Sequence, residues 1–147
     1  MTNRNEKTTL TDADLHRFTG TAHYWRTGSP LHPFVYTDGV RYVLENGGVY
    51  WLLDIIGEWQ RARSVRSNTA LQQLQFWTLT VKADHSAEVI CELDKGKVVV
   101  RQKILYTDFP LPKIEFYLEH MWAFWATTTP LRTRPQDNGV LLLPSEY

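Results

Sequence analysis

The chain is nearly devoid of cysteine: Cys91 is the only one in 147 residues. No internal disulfide can form, so a small fold stapled by cross-links is excluded. Net charge is also missing, because sixteen Lys and Arg balance sixteen Asp and Glu. That removes any overall pull towards nucleic acid or anionic lipid, although a local patch can still bind. No apolar run approaches the ~20 residues of a membrane helix, so no membrane partner is expected. The opening MTNRNEKTTL is polar and lacks a signal-peptide pattern. These absences point to the cytoplasm. Gly47-Gly48 has neither the spacing nor the lysine of a phosphate loop. Zinc needs about four clustered ligands, whereas His16, His23, His32, His85 and His120 are scattered. Only His23 and His32 share a loop, which leaves a weak site open. Cys91 falls mid-strand on an apolar face, the position of an inert core thiol rather than a nucleophile. No metal and no cofactor is expected.

What the chain does have is aromatic bulk: six Trp, seven Tyr and six Phe. Aromatics fill small cores and also dominate interfaces. With 43% hydrophobic and 22% charged residues, the profile is that of a soluble globular protein, long enough for one real core. Residues 1–10 are expected to be loose and 11–147 to form a single domain.

The stretch from Tyr36 to Gln60 organises the rest. Thr37 or Asp38 can cap a helix carrying Val40, Val43 and Leu44 at i, i+3, i+4. Gly47-Gly48 stops it, with a left-handed residue after the last turn. A second helix from about 48 to 60 carries Val49, Leu52, Leu53, Ile56 and Trp59, widened by Trp51 and Ile55. Tyr50, Asp54, Gly57 and Glu58 share its narrow polar stripe, so it is expected to be mostly buried. It is too apolar to lie in a DNA groove, which argues against a helix-turn-helix reading. Upstream, Thr11 and Asp14 form a capping-box variant at the start of a short helix over 12–18. FTGTAHYWRTGSPLHPF, punctuated by Gly20, Gly28, Pro30 and Pro33, reads as a loop. Within it His23, Tyr24, Trp25 and Arg26 either cover one end of the core or form a binding surface. Arg61, Arg63 and Arg66 follow the second helix with no acid among them. They either complement its dipole or meet phosphates or an acidic protein surface.

QLQFWTLTVKA, AEVICEL and KVVVRQKILY alternate and are joined by short turns at 84–86 and 94–96. They predict a three-strand meander, with Glu88 and Glu92 facing Arg101 and Lys103. After Pro110 and Pro112, the residues Leu111, Ile114, Leu118, Met121, Trp122 and Trp125 keep helical spacing. A helix is favoured there, but Ile114, Phe116 and Leu118 also alternate, so a short strand competes. VLLLP reads as a final buried strand joining the meander. The expected fold class is α+β, an antiparallel meander of about four strands with helices packed on one face.

TDADLHRFTGTAHYWR, YTDGVRYVLENGGVYWLLDIIGEWQ, LQFWTLTV, YTDFPLPKI and VLLLPSEY together resemble a family of small bacterial proteins. It is known only as a domain of unknown function, met in plasmid, phage and chromosomal settings. The resemblance implies no activity, cofactor or site residue. Family members pass quickly from YTDFPL to LLLPSEY, so about 115–138 looks like an insertion. It could form an exposed arm bearing Met121, Trp122, Phe124 and Trp125. The expected function is a non-enzymatic protein-binding module, an accessory or inhibitor protein of a mobile element acting on a host complex. Its partner is expected to be another protein or a second copy of the chain. The candidate contact residues are His23, Tyr24, Trp25, Arg26, Arg61, Arg63, Arg66, Trp122, Phe124 and Trp125. The first alternative is a nucleic-acid binder using Arg61, Arg63, Arg66, Arg132 and Arg134, with Trp25 or Tyr24 stacking on bases. The second is a small hydrolase or transferase, which requires His23, Asp38, Asp54 or Glu58 to converge.

Overall fold

The computed structural model describes residues 10–120 and 139–147. Alternating apolar residues build the middle of its sheet. Strand β3 (Leu74–Val81) pairs antiparallel with β4 (Ala87–Asp94), and β4 with β5 (Lys97–Ile104). This is the expected meander. On the other side of β3 lies β6 (Lys113–His120), also antiparallel. Trp77 therefore stands between Cys91 and Phe116, and Leu79 between Val89 and Ile114. All six side chains are buried.

The sheet does not stop at four strands, and it is not purely antiparallel. Its order is β1-β2-β7-β6-β3-β4-β5. Here β1 is Tyr24–Trp25, β2 is Phe34–Thr37 and β7 is Gly139–Leu142. β7 is antiparallel to β6 but parallel to β2. The expected four-strand antiparallel meander with helices packed on one face is thus overturned by a seven-strand mixed sheet carrying a few short helices. Two causes account for the difference. The strands β1 and β2 are short: β1 lies inside the Gly- and Pro-punctuated stretch that reads as a loop, and β2 begins at its last residue, Phe34. The segment favoured as a helix is β6, in which Ile114, Phe116 and Leu118 are buried at period two. A helix there would leave the second side of buried β3 without hydrogen-bond partners, which outweighs the i, i+4 spacing. The suspected insertion at about 115–138 therefore begins inside a sheet strand. Its part beyond His120, with Met121, Trp122, Phe124, Trp125, Arg132 and Arg134, lies outside the described residues, as does most of the N-terminal stretch expected to be loose.

The helices are α1 (Asp12–Leu15), α2 (Asp38–Gly47), α3 (Trp51–Trp59) and α4 (Arg63–Arg66). Thr11 and Asp14 form the reciprocal box at the start of α1, at 2.9 and 3.3 Å. Gly48 takes the left-handed conformation (φ +67) after α2. Val40, Val43 and Leu44 of α2 and Leu52, Leu53 and Ile56 of α3 are at most 2% exposed. Each such burial contributes about 1.5–3 kcal/mol. Asp54 and Glu58 face water as expected, but Gly57 does not. A β-carbon there would run into the backbone carbonyl of Leu31. The missing side chain lets the loop before β2 lie directly on the helix.

Two polar groupings join distant parts. Glu146, in the terminal 3-10 turn Pro144–Glu146, accepts hydrogen bonds from the Thr37 hydroxyl (2.6 Å) and the Gly39 N–H (3.1 Å). It thereby covers the start of α2. Under α3, the fully buried Gln75 exchanges 2.8 Å amide bonds with Gln60 and accepts from the Trp77 indole at 2.8 Å. Its amide nitrogen lies 3.3 Å from His120 Nε2.

Candidate protein-binding surface

The sheet ends in two edges of very different length. At one edge stands β1, and Asp38 holds it in place. Asp38 Oδ1 accepts from the Trp25 indole (2.8 Å) and Oδ2 from the Ala22 N–H (2.9 Å). Its own N–H donates to Thr21 Oγ1 (2.9 Å), whose hydroxyl donates to the His23 carbonyl (2.6 Å). The Trp25 bond, more than any other contact, keeps the Asp38 carboxyl below its ordinary value. The Arg41 guanidinium lies 3.7 Å over the Trp25 ring and pairs with Glu45 at 3.2 Å. His23, Tyr24, Trp25 and Arg26 are thus gathered on a fixed edge. His23, Tyr24 and Arg26 face water, and Trp25 is half-buried and committed to Asp38 and Arg41.

Arg61, Arg63 and Arg66 are exposed around α4, and among the described residues none makes an ion pair. Arg63, Arg66 and Ser67 border a shallow cavity of about 240 Å³. The convergence of His23, Asp38, Asp54 and Glu58 that a hydrolase or transferase would require does not occur. His23 sits 3.8 Å from Asp38, Asp54 binds His32 at 2.6 Å, and Glu58 is exposed. Of the remaining sequence candidates, Trp122, Phe124 and Trp125 lie outside the described residues.

The opposite edge is β5, eight residues without proline, and no described strand pairs with its outer side. It presents Val98 and Val99, each 36% exposed, and runs into Leu105, 95% exposed, and Tyr106, 66% exposed. The corner is fixed: the Thr107 N–H donates to the His85 carbonyl at 2.8 Å, and the Tyr106 ring lies 5.5 Å from that of His85. Lys97, Arg101 and Lys103 are exposed along the strand, with no acid among them. Arg101 alone is neutralised, by Glu88 at 2.8 Å. Sequence reasoning missed this edge as a site. The available signal was that KVVVRQKILY has a tight turn only on its β4 side, so nothing local covers the other.

Among the described residues, no three or more His, Cys, Asp or Glu are grouped to hold a metal ion. No described helix is long and apolar enough to cross a membrane. Fold and edges define a small α+β protein built on one mixed sheet, with one short, pinned edge and one long edge that has no neighbour among the described strands. The chain belongs to DUF6876, a family of unknown function, whose model matches residues 9–147. No curated protein and no solved structure matches it.

Proposed function

We propose that the protein is a cytoplasmic protein-binding module that takes an extended, acidic segment of a partner along the outer side of β5. The supporting observation is a pre-shaped edge: an eight-residue strand with no described outer neighbour, ending in an almost fully exposed leucine beside an exposed tyrosine. An added strand gains main-chain hydrogen bonds from the edge and side-chain contact with Leu105 and Tyr106. Lys97 and Lys103, on either side of the paired Arg101, favour a segment bearing Asp or Glu. They disfavour a second copy, which would bring the same basic row against itself. Lysines also protect an edge from indiscriminate pairing, so selectivity for acidic segments follows from the same residues. The buried free thiol of Cys91 suits a reducing compartment.

The test is selection of ten-residue display peptides on the parent protein, followed by binding to Leu105→Asp and Lys103→Glu. Both positions are exposed, so both variants fold. The reading expects acidic, extended peptides whose affinity falls at least tenfold in either variant and weakens with salt. Equal affinity for the parent and both variants refutes it.

A second reading rests on the exposed arginines at 61, 63 and 66, which suit phosphates. Its stacking partner would be Tyr24, 54% exposed, because Trp25 is already covered by Arg41. Binding of a labelled single strand at low salt, lost in Arg63→Ala and Arg66→Ala, would support it. No binding at low salt removes it.

A further inference from the structure

Two side chains of the loop joining β1 to β2 and one of α3 form a chain that the edge-binding reading does not use. The Thr27 hydroxyl lies 2.7 Å from His32 Nδ1, and His32 Nε2 lies 2.6 Å from Asp54 Oδ1 on α3. An ionised carboxylate has no proton to donate. When the imidazole is neutral, a hydrogen on Nε2 faces that carboxylate and the Nδ1 lone pair faces Thr27. In that tautomer the Thr27 hydroxyl donates to His32 Nδ1. Hydroxyl, imidazole and carboxylate in that order form an activated nucleophile with its base and the group that orients the base.

The surroundings fit that arrangement. The His32 side chain is only 9% exposed. Its ring stacks on Phe34 with centroids 6.1 Å apart and planes at 16°. Its backbone N–H donates to the Ser29 carbonyl at 3.1 Å, and the preceding residue rests on Gly57. Thr27, in contrast, is exposed. Beside it Gly28 (φ +83) has open space where a side chain would begin. A sheltered, oriented base therefore stands behind an accessible hydroxyl.

We infer that Thr27 is an acyl-accepting nucleophile, with His32 as its general base and Asp54 as the residue that positions the imidazole. The substrate class is esters with a good leaving group. Thr27 Oγ1 forms a bond to the acyl carbon as its proton passes to His32 Nδ1. The bond from that carbon to the leaving oxygen breaks; the leaving group takes the proton from His32, or departs as its anion while His32 Nδ1 releases that proton to solvent. Water then attacks the Thr27 ester, gives a proton to Nδ1, and Thr27 Oγ1 leaves with that proton. The free acid is released and the hydroxyl restored.

The probe is p-nitrophenyl acetate on the full chain. Acetyl-Thr27 is mapped by tandem mass spectrometry, and p-nitrophenolate release is followed by absorbance. The parent and Thr27→Ser are expected to acquire the adduct, and Thr27→Val to lack it. His32→Gln should slow acetylation roughly 100-fold. Asp54→Asn should slow it on the order of tenfold or more. In that variant, nitrogen NMR should show the His32 hydrogen moving from Nε2 towards Nδ1, and the acetylation rate should fall with it, whereas a purely structural contact would leave the rate unchanged. Circular dichroism confirms that each variant is folded. No acetyl group on Thr27 in either the parent or Thr27→Ser overturns the inference, as does an unchanged rate in folded His32→Gln. An unchanged tautomer and rate in Asp54→Asn overturns the role of Asp54.

Discussion

Gly57→Ala is expected to destabilise the protein, although the sequence argues the reverse. On an exposed stripe of α3, replacing a mid-helix glycine by alanine would stabilise by about 0.5–1 kcal/mol. Gly57 is instead buried, and an added β-carbon meets the Leu31 carbonyl oxygen. That oxygen belongs to the backbone and has no rotamer by which to move away. Overpacking at such a contact costs about 1–3 kcal/mol. Because the clash is with backbone, the upper part of that range applies, about 2–3 kcal/mol, and subtracting the propensity gain leaves a net loss of about 1–2.5 kcal/mol. For a chain of this size the unfolding midpoint should fall by roughly 2–8 °C. Urea titration followed by tryptophan fluorescence suits the measurement, because Trp51 and Trp59 bracket the site in α3. Gly20→Ala, with no atom within 4 Å of the new carbon, is the control and should change stability by less than about 0.5 kcal/mol. If Gly57→Ala equals or exceeds the parent, the loop before β2 does not lie on α3. The support claimed for His32 would then fail with it.

Other outcomes can be measured on the same material. Burial lowers the His120 imidazole to about 4, against 6.5 when free. The unfolded chain therefore binds the proton first, and His120 stabilises the fold fully above pH ~6.5. That contribution, roughly 3 kcal/mol, is lost as pH falls from about 6.5 to about 4. Replacing His120 by Gln should flatten this part of the stability profile; an unchanged slope contradicts the assignment. Burial also pushes the Cys91 thiol up to about 12. A disulfide reagent should label it only once the chain is unfolded, and rapid labelling of the native protein would show otherwise. Gln75→Leu should cost about 2–4 kcal/mol in urea despite the gain in apolar surface, because Gln60 and the Trp77 indole lose their partner. A neutral result would mean that the amide cluster is not closed.

The readability of this sequence depended on distance along the chain. The helices α2 and α3 announce themselves through 3.6-residue spacing, a Thr37 cap and a left-handed Gly48, all local signals. The β3–β4–β5 meander does so through alternation and tight turns. β6 does not, because Ile114 and Leu118 are four residues apart, a spacing shared by one helical turn and by two strand repeats. Only the need of β3 for a second partner decides between them, and that need is visible only in three dimensions. β1 has two residues and β2 four, too few for periodicity to register among Pro and Gly. Gly57 reads as part of the polar stripe because glycine has no side chain to declare its side. The grouping of His23, Tyr24, Trp25 and Arg26 was legible because they are contiguous. The Thr27–His32–Asp54 line was not, since His32 and Asp54 are 22 residues apart.

The place of β7 bears on how the chain is made. Residues 139–142 are hydrogen-bonded between β2 and β6, so the strand that comes last in chain order joins the two halves of the sheet. The carboxylate that covers the start of α2 follows four residues later and is 109 positions from Thr37. While the ribosome still holds that stretch, β2 and its hairpin partner have no route into the sheet. A nascent molecule must carry a finished meander beside an unattached amino-terminal half until residues 139–142 have left the ribosome.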